Sequence, residues 1–128
     1  MYQRKNEKHL ICGLDVTMEI IGGKWKPCLI NKIHAGLIRP SDLQRAIPLA
    51  SRRALNMQLK ELEEHGIVSK TIYPVLPPKV EYALTEFGQC LLPITQTMES
   101  WGMEHMDRFK HLVEARRAAE AVAEEVVS

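Results

Sequence analysis

Apolar and polar positions along the chain change period near its middle. From Leu14 to Ile21 apolar residues recur at helical spacing, with Asp15 near the start and Gly22-Gly23 at the end, which predicts a first helix. A second is predicted from about Trp25. Pro27 suits its first turn, Trp25, Cys28, Leu29 and Ile33 share one apolar face, and Gly36 closes it. A short third helix is expected over Pro40 to Ile47, with Ser41 as N-cap and Pro48 as the stop. After Leu49-Ala50, Ser51 is placed to cap a longer helix running to His65, where Gly66 supplies a left-handed terminus. Two helices joined by a short turn make a helix-turn-helix candidate.

Beyond Ile67 the period shortens. Val68, Lys70 and Ile72, then Val80, Tyr82 and Leu84, alternate with other residues and predict two short strands. The segment between them, Tyr73-Pro74-Val75-Leu76-Pro77-Pro78-Lys79, is too rich in proline for a two-residue turn, so the hairpin has a stiff loop. Thr85 reads as an N-cap with Glu86 in the first turn. It opens a long helical stretch through Leu91, Ile94, Met98 and Trp101 to about Phe109, which Pro93 kinks or restarts. From Leu112 to Ser128 the chain is rich in Ala, Glu and Val and has no aromatic residue, and a frayed or partner-dependent helix is expected there. No internal repeat is present. The organisation is thus an arm (1–11), one folded domain (12–111) and a tail (112–128), which suits a chain of 128 residues.

Charge changes this picture only when placed along the sequence. The net charge is +1, yet between Lys24 and Lys60 stand eight basic residues (Lys24, Lys26, Lys32, Arg39, Arg45, Arg52, Arg53, Lys60) and one acid, Asp42. That excess suits a one-sided polyanion-binding surface, because Lys and Arg displace counterions from phosphates. An ordinary solvated basic face explains it equally well.

The helix after Ser51 narrows the choice. On a helical wheel Leu55, Leu59 and Leu62 share one face, while Arg52, Arg53, Asn56, Lys60 and Glu63 share another. Arg and Asn pair in bidentate fashion with guanine and adenine, and the N-terminal residues of such a helix reach deepest into a major groove. Arg52, Arg53 and Asn56 are therefore the candidate base readers and Lys60 a phosphate contact. Lys70 and Lys79 flank the proline-stiffened hairpin tip, a basic loop placed to lie along the phosphate backbone or to enter the minor groove. With Ser41 and Ser51 at the helix starts, these residues make up the candidate DNA-binding set. The alternative for each feature alone is an amphipathic helix with a solvated face and an ordinary hairpin.

Several classes are set aside. No run of about 18 apolar residues exists, and the polar N-terminus shows no secretory pattern, so a soluble cytoplasmic protein is expected. Cys12, Cys28 and Cys90 are too few and too widely spaced for a disulfide framework or a zinc site, and reduced thiols without a metal are expected. Cys28, on an apolar stripe, and Cys90, beside Phe87 and Leu91, read as buried fillers. His9, His34, His65, His105 and His111 fall in no arrangement with a nucleophile or metal, so neither an enzyme nor a cofactor is expected. A rival within the same fold is a winged helix that binds only protein or a small ligand; such modules usually lose the basic groups present here.

The motifs, taken in order, resemble the HxlR family of winged-helix regulators in the MarR-like superfamily. The resemblance covers about Cys12 to Gly102. Ile21-Gly22-Gly23-Lys24-Trp25-Lys26 looks like the family's Gly-Lys-Trp start to the second helix, and Leu59-Lys60-Glu61-Leu62-Glu63-Glu64-His65-Gly66-Ile67-Val68 like the end of its recognition helix. Tyr73 to Thr85 matches its wing nearly throughout, and Leu91-Leu92-Pro93-Ile94 with Trp101-Gly102 resembles its dimerisation helix. The resemblance implies an α+β, mostly α, winged helix-turn-helix with a two-stranded wing and a C-terminal dimerisation helix. It also implies a homodimer on near-palindromic double-stranded DNA, acting in transcriptional repression or activation. Leu91, Ile94, Met98 and Trp101 are the expected two-fold interface; the alternative is that they cover only the domain's own core.

The family often has Cys-Pro before the first helix, whereas Cys12 here precedes Gly13. In some members that cysteine senses oxidants or electrophiles, so Cys12 is a candidate redox sensor. A thiol just before a helix N-terminus and near Lys8 is also placed for reactivity. A small-molecule effector is the other expected input.

Overall fold

Helix starts follow from side chains that can accept a backbone N–H and from prolines that need none. The computed structural model describes residues 10–127. The proposed arm 1–11 therefore lies largely outside the described residues, as do Lys8 and His9. α1 (Gly13–Ile21) begins after Cys12, where the Asp15 carboxylate accepts the backbone N–H groups of Ile11 and Cys12 at 2.8 and 3.2 Å. α2 (Lys26–His34) carries Pro27 in its first turn, and Gly36, at φ +102°, turns the chain away. α3 (Pro40–Ala46) is capped by extended Arg39 and not by Ser41. The fixed φ of Pro40 suits the first helical position, which moves the cap one residue back and leaves Ser41 exposed in the first turn. α4 (Arg52–Glu64) has the expected cap: Ser51 Oγ accepts the Ala54 N–H at 3.0 Å, and Gly66, at φ +75°, lies just beyond the last turn.

The chain then doubles back as an antiparallel hairpin of β1 (Val68–Tyr73) and β2 (Lys79–Leu84), paired from Val68 with Leu84 to Tyr73 with Lys79. Tyr82 N–H donates to the Ile38 carbonyl at 2.8 Å, which ties β2 to the segment leading into α3. Thr85 caps α5 (Glu86–Gln89), its hydroxyl oxygen accepting the Gly88 N–H at 2.9 Å. α6 (Leu92–Val127) restarts beyond Cys90-Leu91 with Pro93 in its first turn, as the proline requires. The expected end near Phe109 is not observed. α6 continues to Val127, through Ala- and Glu-rich sequence of high helix propensity that includes an Arg116–Glu120 pair.

Two compact units divide between Thr95 and Gln96. The first holds a core built from Leu29, Ile30 and Ile33 of α2, Leu43 of α3, Leu55, Leu59 and Leu62 of α4, and Ile67, Val68, Tyr82 and Leu91. Burial of each of the α4 leucines contributes about 1.5–3 kcal/mol. Gly88 lies against this core so closely that a Cβ there would stand 2.1 Å from the Ile67 carbonyl oxygen. Thr95 and Asn31 satisfy each other: the Thr95 hydroxyl donates to Asn31 Oδ1 at 2.8 Å and Asn31 Nδ2 donates to the Thr95 carbonyl at 3.1 Å. The second unit is the remainder of α6.

Two expectations about packing are corrected. Leu91 is only 9% exposed and belongs to the core of the first unit, because the break before α6 turns it inward. Cys90 is exposed and not a buried filler: Gly88, not Cys90, faces the core, and the Cys90 thiol points to the Glu86 carbonyl at 3.6 Å. Cys28 is half-buried.

Candidate nucleic-acid interface

α4 separates its two faces as the wheel requires. Leu55, Leu59 and Leu62 are buried, while Arg52, Arg53, Asn56, Lys60 and Glu63 are all exposed. Arg52 and Arg53 occupy the first two helical positions, and no acid stands in that turn. The positive end of the helix dipole disfavours cations there. An external anion removes the conflict. Arg52 does act on one interior group: burial and the Glu63 carboxylate push the Tyr82 hydroxyl above its ordinary pKa, and Arg52 opposes them.

The basic run from Lys24 to Lys60 is not one continuous surface. Lys26 is 4% exposed and ion-paired with Glu61, Arg45 is paired with Asp42, and Arg39 with Glu81 at 3.7 Å. Of these only Lys26 is withdrawn from solvent: Arg39 and Arg45 stay exposed beside their acids, Arg52, Arg53, Lys60 and Lys70 are exposed around α4 and the hairpin, and Lys79 is half-buried beside Glu81.

The hairpin register sorts its two lysines. Lys70 pairs with Tyr82 and Lys79 with Tyr73, three rungs apart, an odd number, so the two lysines project from opposite faces of the ribbon. Lys79 is held by Glu81 at 3.4 Å and lies 5.2 Å from the centre of the Tyr73 ring. Glu81 also raises the Tyr73 hydroxyl above its ordinary pKa, by a side-chain hydrogen bond and then by its charge. Glu81 thus organises Arg39, Tyr73 and Lys79 together, a role that sequence reasoning missed. Its spacing two residues after Lys79, on the same face of a strand, was the available signal. Ser41 and Ser51 are exposed at the starts of α3 and α4.

Cys12 is exposed, with its thiol 3.6 Å from Asp15 Oδ2. In the second unit Met98, Trp101, His105, Phe109 and Leu112 recur at spacings of three and four on one side of α6, and the apolar members of this side are exposed. Trp101 is 64% exposed, and its ring stacks on His105 with centroids 4.3 Å apart. Ile94, in the first unit, is exposed as well. No cluster of side chains able to hold a metal ion occurs among the described residues, and no helix there is long and apolar enough to cross a membrane.

Comparison with known proteins agrees with this geometry. The HxlR-like helix-turn-helix family matches residues 20–110. The uncharacterized HTH-type transcriptional regulator YdeP of Bacillus subtilis is 40% identical over 111 residues, 87% of each chain. The solved structure of the redox regulator HypR in its reduced form is 41% identical, covers 78% of this chain and 99% of its own, and superposes with a TM-score of 0.72. That of diamide-treated YodB from B. subtilis is 32% identical, covers 75% and 96%, and has a TM-score of 0.60. With a helix-turn-helix, a two-stranded wing and a family match across most of its length, the chain belongs to the HxlR-like helix-turn-helix family of transcriptional regulators.

Proposed function

We propose that the protein binds double-stranded DNA sequence-specifically as a homodimer and regulates transcription from a near-palindromic operator in the cytoplasm. The observation that carries this reading is the pair Arg52 and Arg53, both exposed in the first turn of α4, where the helix dipole favours an anion. Arg52, Arg53 and Asn56 read bases in the major groove, while Ser41, Ser51, Lys60, Lys70 and Lys79 meet the backbone. Ile94, Met98 and Trp101 form part of the two-fold interface, as their exposure on α6 favours. Thiol chemistry at exposed Cys12, or a small ligand, supplies the input; the redox names of the HypR structures and the diamide treatment of YodB support the thiol.

Selection of duplexes from a random pool, with footprinting of the selected sequences, tests the reading. Enrichment of a near-palindrome with half-sites about 34–36 Å apart, or a multiple of that, is the expected result. A pool that stays unenriched at low salt refutes it.

A further inference from the structure

The wing ends in an apolar tip that phosphate contact does not explain. From Thr71 to Pro78 there are eight residues, and none is charged. Leu76 stands at the end of this stretch with 97% of its surface in solvent, and Ile72 and Val75 are exposed beside it. The tip is also stiff. Val75 N–H donates to the Tyr73 carbonyl at 2.9 Å, three prolines limit the backbone, and Lys79 lies against the Tyr73 ring at the neck. An exposed leucine held on a rigid arm loses little conformational entropy when it is buried by a partner.

The charges around the tip indicate which partner. Lys70 and Lys79 project from opposite faces of the ribbon behind it, Lys79 and Arg39 sharing the carboxylate of Glu81, so a cation lies on each side of an uncharged point. A minor groove has that layout in complement: two phosphate rims about 6 Å apart with a floor of bases and sugars between them. Apolar side chains entering this groove insert at a base step and bend the duplex. Resting on the DNA-binding reading above, we propose that Leu76 is an apolar wedge. It enters the minor groove beside the major-groove site of α4, contacts base and sugar edges and bends the DNA, while Lys70 and Lys79 meet the two rims.

Salt dependence separates a wedge from a phosphate contact, since burial of leucine releases no counterions. The probe is a duplex selected by the wild-type protein, studied with Leu76→Ser, Leu76→Met and Lys79→Ala; Leu76 makes no core contact, so its variants fold. Leu76→Ser is expected to weaken binding about tenfold and to reduce the bend seen by end-to-end energy transfer, with the salt slope unchanged. Leu76→Met should restore most of both, and Lys79→Ala should lower the slope. If Leu76→Ser binds and bends the duplex like wild type, the wedge is refuted while DNA binding stands. If wild type binds no duplex, both readings fall. A Leu76→Ser protein that keeps DNA affinity but loses self-association assigns the tip to a second copy instead.

Discussion

Lys26 and Glu61 form an ion pair that joins the first turn of α2 to the last turns of α4, with Lys26 almost wholly enclosed. The pair holds α4 against α2. A buried charge left without its partner is strongly destabilising, so Glu61→Ala, which strands Lys26, should cost about 3 kcal/mol in chemical denaturation. Lys26→Met combined with Glu61→Leu should cost much less, because both charges are then gone. Equal losses in the two variants would show that lost packing, not a stranded ammonium, is the cause.

Ser51 separates folding from DNA contact. Ser51→Ala removes the acceptor for the Ala54 N–H and should lower stability by about 1 kcal/mol. Ser51→Asp keeps a cap oxygen and suits the helix dipole, so stability is retained, yet the added negative charge should weaken binding to any duplex. A Ser51→Asp protein with full stability and unreduced DNA affinity places this helix end away from the phosphates.

Much of this architecture is legible in the sequence because local rules suffice for it. Ser51, the spacing of Leu55, Leu59 and Leu62, and Gly66 define α4 without reference to the rest of the chain, and the proline cluster and Thr85 define the hairpin and the start of α5. The features that escape such rules depend on tertiary neighbours. Lys26 counts as one more basic residue until Glu61, thirty-five positions away, is seen to pair with it. Leu91 shares a helical pattern with Ile94, Met98 and Trp101, and only the break after Gln89 turns it into the core. Cys90 has the apolar neighbours Phe87 and Leu91 of a buried residue, but Phe87 is itself exposed and the close approach belongs to Gly88.

The apolar side of α6 yields a prediction about assembly. Trp101→Glu should leave the secondary structure intact, since Trp101 lies on an exposed helix face, and should shift the mass by light scattering from dimer to monomer. Affinity for a two-half-site duplex should fall with it, because each monomer then holds one recognition helix. An unchanged mass and affinity assign this face to something other than the two-fold contact.

Two exposed thiols make the redox prediction a comparison. Diamide should change the affinity of wild type and of Cys90→Ser for the selected duplex, and a reductant should reverse the effect. Cys12→Ser should bind the duplex and ignore the oxidant. Equal oxidant responses in wild type and Cys12→Ser would remove Cys12 from the mechanism; loss of response only in Cys90→Ser would transfer the role to Cys90.

The direct test of base reading by α4 is the salt dependence of affinity for the selected duplex and for a scrambled one, measured on wild type, Arg53→Ala and Lys79→Ala. Wild type should prefer the selected duplex, and its affinity should fall steeply with salt. Arg53→Ala should reduce that preference by about 1–3 kcal/mol, whereas Lys79→Ala should weaken both duplexes alike and lower the slope by about 1. Wild-type affinities that are equal for the two duplexes, or a preference that Arg53→Ala leaves intact, would contradict base reading by α4.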